Sequence, residues 1–151
     1  PPEIAPGIYE IDLGAPGDER FIGWGWHWQE DIGATRWRWS GEYPQARLYV
    51  DLEPGAYRLT LAAQAFWEAR RLEIEVNGLP VQPIGADQSL EPDVLQEMSF
   101  TIPASVLGDG RHIEIVLAYD DVVVPAQVGQ SDDPRRLALA VDWIRLARED
   151  G

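Results

Sequence analysis

The chain has 151 residues, and its 26 acidic and 12 basic side chains give a formal net charge of −14. This balance argues against binding to nucleic acid or to an anionic membrane surface, since both require clustered basic side chains. The chain contains no cysteine, which excludes disulfides, thiol nucleophiles and thiolate metal sites. A chain of this length folds without such crosslinks, so we expect residues 1–151 to be a single domain excised from a larger protein. No apolar run approaches the roughly 20 residues that span a bilayer, so the domain itself is not expected to cross a membrane.

The first predicted strand covers residues 8–13, where apolar and polar side chains alternate. A tryptophan-rich region follows at residues 21–39 and holds five of the seven tryptophans. Side chains alternate between the two faces of a strand, so we expect Trp24, Trp26 and Trp28 to lie together on one face.

The second half of this region is predicted to be another strand, which a turn at residues 31–33 joins to the first. The same alternation places Trp37 and Trp39 on one face and Arg36 and Arg38 on the other. These arginines either lie exposed on the outer side of the strand, or pair with carboxylates, or stack on indoles. The two strands are therefore expected to lie side by side and to carry one broad aromatic surface.

The middle of the chain predicts three further strands and a hairpin. Residues 47–52, 57–65 and 72–76 all alternate between apolar and polar side chains. An Asn-Gly pair at residues 77–78 is typical of a two-residue hairpin turn. The return strand at residues 79–84 contains two prolines, which favour an edge position because proline cannot donate to a neighbouring strand.

The last third of the chain predicts strands at residues 95–102, 112–117 and 137–146, with one helical turn at 103–107. In the final strand the inward-facing positions change parity near Asp142, which predicts a β-bulge.

Short strands separated by turn signals predict an all-β fold, since no segment of ten or more residues repeats its apolar side chains with a helical period. We predict an antiparallel β-sandwich of the jelly-roll, galactose-binding-like type, with another Greek-key sandwich as the alternative.

The tryptophan cluster predicts a carbohydrate site, because flat indole faces stack on the C–H faces of sugar rings while neighbouring polar side chains bond the hydroxyls. Alternatively, the tryptophans fill the core, and we expect two or three of the five to do so. The predicted ligand-binding residues are Trp24, Trp26, His27, Trp28, Trp37, Arg38 and Trp39.

No metal site is predicted, although calcium is considered. His27 has only His112 as a possible histidine partner, on a distant strand. The acidic pairs at residues 120–121 and 132–133 offer oxygen ligands, but neither has the spacing of a calcium-binding loop. The Asp-Asp-Pro stretch at residues 132–134 is better interpreted as a turn whose carboxylates bond nearby backbone N–H groups.

No catalytic residue is predicted either, so the domain is not expected to be an enzyme. The sequence contains neither a Gly-x-Ser-x-Gly elbow nor a phosphate-binding glycine loop. A fragment of a glycoside hydrolase or lyase is the alternative, and it would need two carboxylates that face one cleft.

Residues 124–146 resemble a segment of the extracytoplasmic β-sandwich domains attached to bacterial membrane glycosyltransferases. The most specific part is Asp-Pro-Arg-Arg-Leu at 133–137, although Ala138 replaces the usual glycine. Shorter similarities lie at residues 23–24, 36–37 and 76–78. The resemblance implies an accessory role outside the cytoplasm, attached to a membrane protein, with a glycan or another domain of the parent protein as partner.

Two interpretations of the arginines in this segment remain open. Arg135 and Arg136 lock the loop by bonding Asp132 or a distant carboxylate, which we expect, or they hold a carboxylate or phosphate of a ligand. The first interpretation makes a structural loop of Asp132, Asp133, Arg135 and Arg136. The whole sequence thus predicts a non-catalytic carbohydrate-binding or accessory domain of a membrane-associated glycosyltransferase, with a structural or protein-interaction module as the alternative.

Overall fold

Two antiparallel sheets face each other in the computed structural model, which describes residues 1–31, 36–85 and 87–149. The strands are β1 (Glu3–Ala5), β2 (Ile8–Asp12), β3 (Trp26–Asp31), β4 (Arg36–Ser40), β5 (Gln45–Val50), β6 (Ala56–Ala65), β7 (Arg70–Val76), β8 (Leu79–Pro80), β9 (Gln82–Pro83), β10 (Ser89–Leu90), β11 (Gln96–Ile102), β12 (Ile113–Tyr119) and β13 (Leu139–Glu149). The helical segments are α1 (Ala104–Leu107) and two 3-10 turns, Asp18–Arg20 and Pro125–Val128. No helix within the described ranges is long and apolar enough to cross a membrane.

The larger sheet has the order β1-β2-β13-β6-β11-β9, and the β3–β4 hairpin joins it through β4, which pairs with β13. The smaller sheet has the order β10-β7-β12-β5, with β8 beside β7. Alternate side chains of both sheets meet in a continuous core, in which Leu59, Leu61, Ile115 and Ile144 are fully buried. The predicted all-β jelly-roll sandwich is confirmed.

The last strand, β13, has two different partners along one edge. Its first part pairs with β4, where Ala140 lies opposite Trp39, and its later part pairs with β2, where Trp143 lies opposite Asp12. The register shifts between Val141 and Trp143, so the predicted bulge at Asp142 is confirmed. The bulge separates the two partners and thereby places the β3–β4 hairpin next to the start of the chain.

The segment before β3 belongs to the smaller sheet. Ile22 lies opposite Leu48 on β5, and the N–H of Gly23 donates to the carbonyl of Arg47 at 2.8 Å. The chain crosses to the larger sheet at Gly25, which has a φ of 97°. A Cβ at this position would overlap the carbonyl oxygen of Gln45, so the crossing requires glycine.

The Asn-Gly turn forms the predicted hairpin, with a φ of 52° at Asn77 and 81° at Gly78. The return segment is not one strand, however. Leu79–Pro80 pairs with β7, whereas Gln82–Pro83 crosses over and pairs with β11 of the other sheet. Val81 between them is buried, which draws the chain across the edge of the sandwich. The predicted turn at residues 31–33 falls partly outside the described residues.

Candidate functional site

The five tryptophans of residues 21–39 do not form the single surface predicted from the sequence. Trp26 is only 7% exposed and lies in the core, where its Nε1–H donates to the carbonyl of Arg47 at 2.9 Å. Trp24 and Trp28, by contrast, are 71% and 80% exposed. The prediction that these three side chains share one face is therefore wrong.

Two backbone features cause this difference. The crossing at Gly25 places Trp24 on the smaller sheet and Trp26 on the larger one. In addition, β3 contains a bulge, because Trp26 lies opposite Ser40 while Gln29 lies opposite Arg38. The extra residue breaks the period-two alternation between Trp26 and Trp28.

A groove of about 490 Å³ opens between β3 and the loop that precedes it. We call it the hairpin groove, and it includes four of the predicted ligand residues. Buried Trp26 supplies apolar surface, and the exposed indole of Trp28 faces solvent beside it. The lining residues are Pro16, Gly17, Glu19, Ile22, Trp26, His27, Trp28, Gln29 and Arg38.

A buried ion pair fixes the loop against the hairpin at this groove. Arg38 is 4% exposed, and its Nε and Nη2 donate to the two carboxylate oxygens of Asp18 at 2.6 and 2.7 Å. Its Nη1 donates to the carbonyl of His27 at 2.9 Å. Arg38 is thus neither exposed nor stacked on an indole but paired with a carboxylate, whereas Arg36 is exposed and pairs with Asp31 at 3.3 Å.

The groups around Asp18 stabilise its ionised form. Burial alone would raise the pKa of this carboxyl, but the bonds from Arg38 and from the N–H of Gly14 outweigh it and lower the pKa below its usual value. Asp18 therefore stays ionised at neutral pH and cancels the charge of Arg38.

His27 connects the groove to the C-terminal loop. Its Nε2 lies 2.6 Å from the carbonyl oxygen of Arg136, so the Nε2–H donates this bond and the other ring nitrogen carries no proton in the neutral form. The ring is half-buried. His27 therefore both lines the groove and anchors the loop.

Trp37 and Trp39 lie side by side on the outer face of the larger sheet, because Arg38 between them pairs with core-facing Val141. Their ring centroids are 5.6 Å apart, and Trp39 meets the ring of Phe66 edge-on at 5.8 Å. We call Trp37, Trp39 and Phe66 the outer aromatic cluster. It lies on the opposite side of β4 from the hairpin groove, so the two surfaces are separate.

The C-terminal loop is held to the hairpin by Arg135. This side chain donates to both carboxylate oxygens of Asp133 and to Oε1 of Glu30, at 2.8 Å for Asp133 Oδ2 and 3.1 Å for Glu30. The other oxygen of Glu30 accepts the Nε1–H of Trp37 at 3.4 Å. These bonds join the loop to the hairpin through Asp133 and the distant carboxylate of Glu30, and the carbonyl of Arg136 accepts the bond from His27.

We expect Arg135→Ala to lower the free energy of unfolding by about 1–2 kcal/mol, because it leaves Glu30 and Asp133 without their shared partner at a half-buried position. The exposed neighbour Arg136→Ala is the control and should change stability by less than about 0.5 kcal/mol. Urea unfolding of both variants measures the difference. Equal stabilities, together with loss of ligand binding in Arg135→Ala, would favour the ligand interpretation.

An arginine binds one member of each acidic pair considered for calcium. Oδ1 of Asp121 accepts Nε of Arg70 at 3.1 Å, and Asp133 is engaged by Arg135. Within residues 1–31, 36–85 and 87–149, no group of three or more His, Cys, Asp or Glu residues is arranged to hold a metal.

Sequence reasoning missed an exposed aromatic stack at the sandwich edge. Trp24 stacks on Tyr43 with centroids 5.6 Å apart and an interplanar angle of 28°. Both rings are largely exposed, at 71% and 45%. The two residues lie 19 positions apart, so neither spacing nor period could have predicted the pairing.

A second missed feature is the exposed indole of Trp67 on the loop between β6 and β7. This residue is 45% exposed and has a φ of 73°, which is unusual for a bulky side chain. The guanidinium of buried Arg70 donates to the carbonyls of Phe66 and Glu68 and so fixes the loop. The Phe-Trp pair at residues 66–67 was a usable signal, since it interrupts an otherwise regular strand pattern.

Comparisons with known proteins relate the chain to others by fold alone. No protein-family model matches it, and no curated protein sequence matches it significantly. The ANX2 ectodomain from Arabidopsis thaliana matches with a TM-score of 0.55 and 12% identity, over 95% of this chain and 50% of that one. The C-terminal CBM6 of LamC, a marine laminarinase from Zobellia galactanivorans, gives a TM-score of 0.53 and 9% identity over 93% and 99%. A carbohydrate-binding module, CBM36, in complex with calcium and xylotriose gives 0.50 and 12% over 92% and 99%.

Proposed function

We propose that this protein is a non-catalytic carbohydrate-binding domain that holds a glycan in the hairpin groove. The observation that carries the proposal is the indole of Trp28, which is 80% exposed at a groove of about 490 Å³. The β-sandwich fold that the chain shares with two carbohydrate-binding modules supports the same function.

The groove combines the two kinds of contact that a sugar needs. The exposed face of Trp28 contributes nothing to the core, and a sugar ring stacked on it would remove apolar area from water. Gln29 and Glu19 line the same groove and offer amide and carboxylate groups to hydroxyls. The ion pair of Arg38 and Asp18 keeps this wall in place before any ligand arrives.

Longer glycans would reach beyond the groove. The outer aromatic cluster and Trp24 lie outside it, and we retain Trp24, Trp37 and Trp39 as further proposed contacts. His27 and Arg38 act mainly by positioning, through their bonds to Arg136 and Asp18.

The parent protein is proposed to be a membrane-attached glycosyltransferase with this domain on the extracytoplasmic side. The resemblance noted in the sequence involves the hairpin and the C-terminal loop, which lie 105 residues apart and meet at the Glu30–Arg135 contact. In this setting the domain would bring an acceptor or product glycan close to the transferase.

A second candidate function is docking onto another domain of the same protein. The exposed stack of Trp24 on Tyr43 favours it, because paired exposed aromatic rings are typical of interaction surfaces.

The test is a glycan array followed by titration of tryptophan fluorescence with any glycan that binds. We expect Trp28→Ala to weaken binding about tenfold or more while leaving the melting temperature unchanged, because the side chain is exposed. Trp67→Ala removes an exposed indole outside the groove and is the control. Absence of any glycan ligand, with self-association seen by sedimentation, would favour the docking function; equal losses in both variants would contradict the groove as the site.

A further inference from the structure

Three aromatic surfaces each have an arginine beside them that is bound by a carboxylate, namely the hairpin groove, the outer aromatic cluster and the Trp24–Tyr43 stack. Arg38 at the hairpin groove is bound by Asp18, with Nε and Oδ2 2.6 Å apart. Arg135 at the outer aromatic cluster is bound by both Asp133 and Glu30. Arg47, whose backbone bonds Trp24, donates its Nη1 to Glu114 at 2.9 Å. In the part of the chain that the structure describes, Arg38, Arg135 and Arg47 are thus each already bound by a carboxylate of the protein.

The hairpin groove itself carries an uncompensated acid. Glu19 is exposed and lines the groove together with Trp28. Among the described residues no basic side chain forms an ion pair with it, and the charge of Arg38 in the same wall is cancelled. Exposed Arg136 lies near His27 but does not line the groove. Arg20, which follows Glu19 in the chain, lines a neighbouring cavity and not this groove. The charged side chains in the groove wall therefore sum to a negative charge, which has the same sign as the formal net charge of −14 for the whole chain.

These charges select among glycans. A polyanionic glycan would be repelled by the field of the domain and would find no cation to bind in the groove. A sugar with a protonated amine, in contrast, could place its ammonium against the face of Trp28 and near the carboxylate of Glu19. An indole face and a carboxylate both attract a cation, and their effects add at a partly desolvated site.

We propose that the hairpin groove prefers glycans with free amino sugars, such as glucosamine, over their N-acetylated forms, and rejects uronic-acid glycans. This inference rests on the proposed function, because it assigns the ligand class of that same groove. It makes Glu19 the residue that determines specificity, whereas Trp28 supplies affinity for any sugar ring.

The experiment compares tetrasaccharides of glucosamine, N-acetylglucosamine and galacturonic acid by calorimetry with the whole chain at about 150 mM salt, where long-range attraction is largely screened. We expect the glucosamine form to bind about tenfold more tightly than the acetylated form, and the galacturonate not to bind. Glu19→Gln should abolish this ratio. Glu97→Gln removes an exposed acid on β11, four strands away from β3, and should preserve the ratio.

The outcomes separate the two proposals. Binding of a neutral oligosaccharide without any preference for the amine, or binding of galacturonate, overturns the ligand class but leaves the carbohydrate-binding function standing. A preference that survives Glu19→Gln but disappears in Glu97→Gln overturns the role of the groove. Failure of all three sugars and of the glycan array overturns both proposals.

Discussion

Arg38→Ala should lower the free energy of unfolding by about 3–5 kcal/mol, because it leaves the carboxylate of Asp18 buried without its partner. Both side chains are almost inaccessible, at 5% and 2% exposure. Arg36→Ala on the same face of β4 is a matched control, since its partner Asp31 and Arg36 itself are about half exposed. That variant should change stability by less than about 1 kcal/mol. Thermal and urea unfolding measure both values.

A double variant keeps this test decisive if Arg38→Ala fails to fold. Asp18→Leu combined with Arg38→Met removes both charges and should recover most of the loss, because no buried charge is left unpaired. Equal stabilities of Arg38→Ala and Arg36→Ala would contradict the structural role of the pair.

The same pair determines how stability changes in acid. The folded pKa of Asp18 is lowered, so the pair contributes its full stabilisation above the unfolded pKa of about 3.9 and loses it as the pH falls through the folded value. Wild-type stability should therefore decline steeply in acid below about pH 4, and Arg38→Ala should flatten this decline. A pH series of urea unfolding tests the sign.

Gly25→Ala should destabilise the domain by about 2–5 kcal/mol. Part of this cost is the left-handed backbone, with a φ of 97°, and the rest is the overlap of a Cβ with the carbonyl of Gln45. Gly78→Ala is the control, since its φ is 81° but a Cβ there meets nothing within 4 Å. It should cost only about 1–2 kcal/mol.

The difference between the two glycine variants isolates the steric part of the effect. It is measured by the midpoint of urea unfolding, and intrinsic fluorescence of Trp26 and Trp28 reports any shift of β3. A Gly25→Ala variant no less stable than Gly78→Ala would show that the crossing between the sheets tolerates a side chain.

Local sequence patterns were sufficient to predict most of the strands. Residues 57–61 and 98–102 alternate cleanly because each of these stretches has one face in the core, and the Asn-Gly turn has few alternatives. The parity change near Asp142 also predicted the bulge, because the buried residues on either side of it were unambiguous.

The tryptophan region could not be predicted in this way, because its period is broken twice within five residues. At Gly25 the chain passes from the smaller sheet to the larger one, and a bulge follows in β3. Neither feature can be recognised from the residue types of the segment. The sequence also could not predict which carboxylate pairs with Arg38. Asp18 lies in a Gly-Pro-rich loop that is typical of a turn, and only the folded chain brings it to the hairpin. The position of Glu19 in the groove could not be predicted for the same reason, because it lies in the same loop.

The position of β13 has a consequence for biosynthesis. Among the described strands β13 comes last in chain order, yet β2, β4 and β6 all pair with it. Until residues 139–149 have emerged, these earlier strands lack the neighbour that completes their sheet, and their unpaired edges are open to aggregation. The β3–β4 hairpin therefore gains its place in the larger sheet only after residues 139–149 have been synthesised, so we expect this sheet to form late in folding.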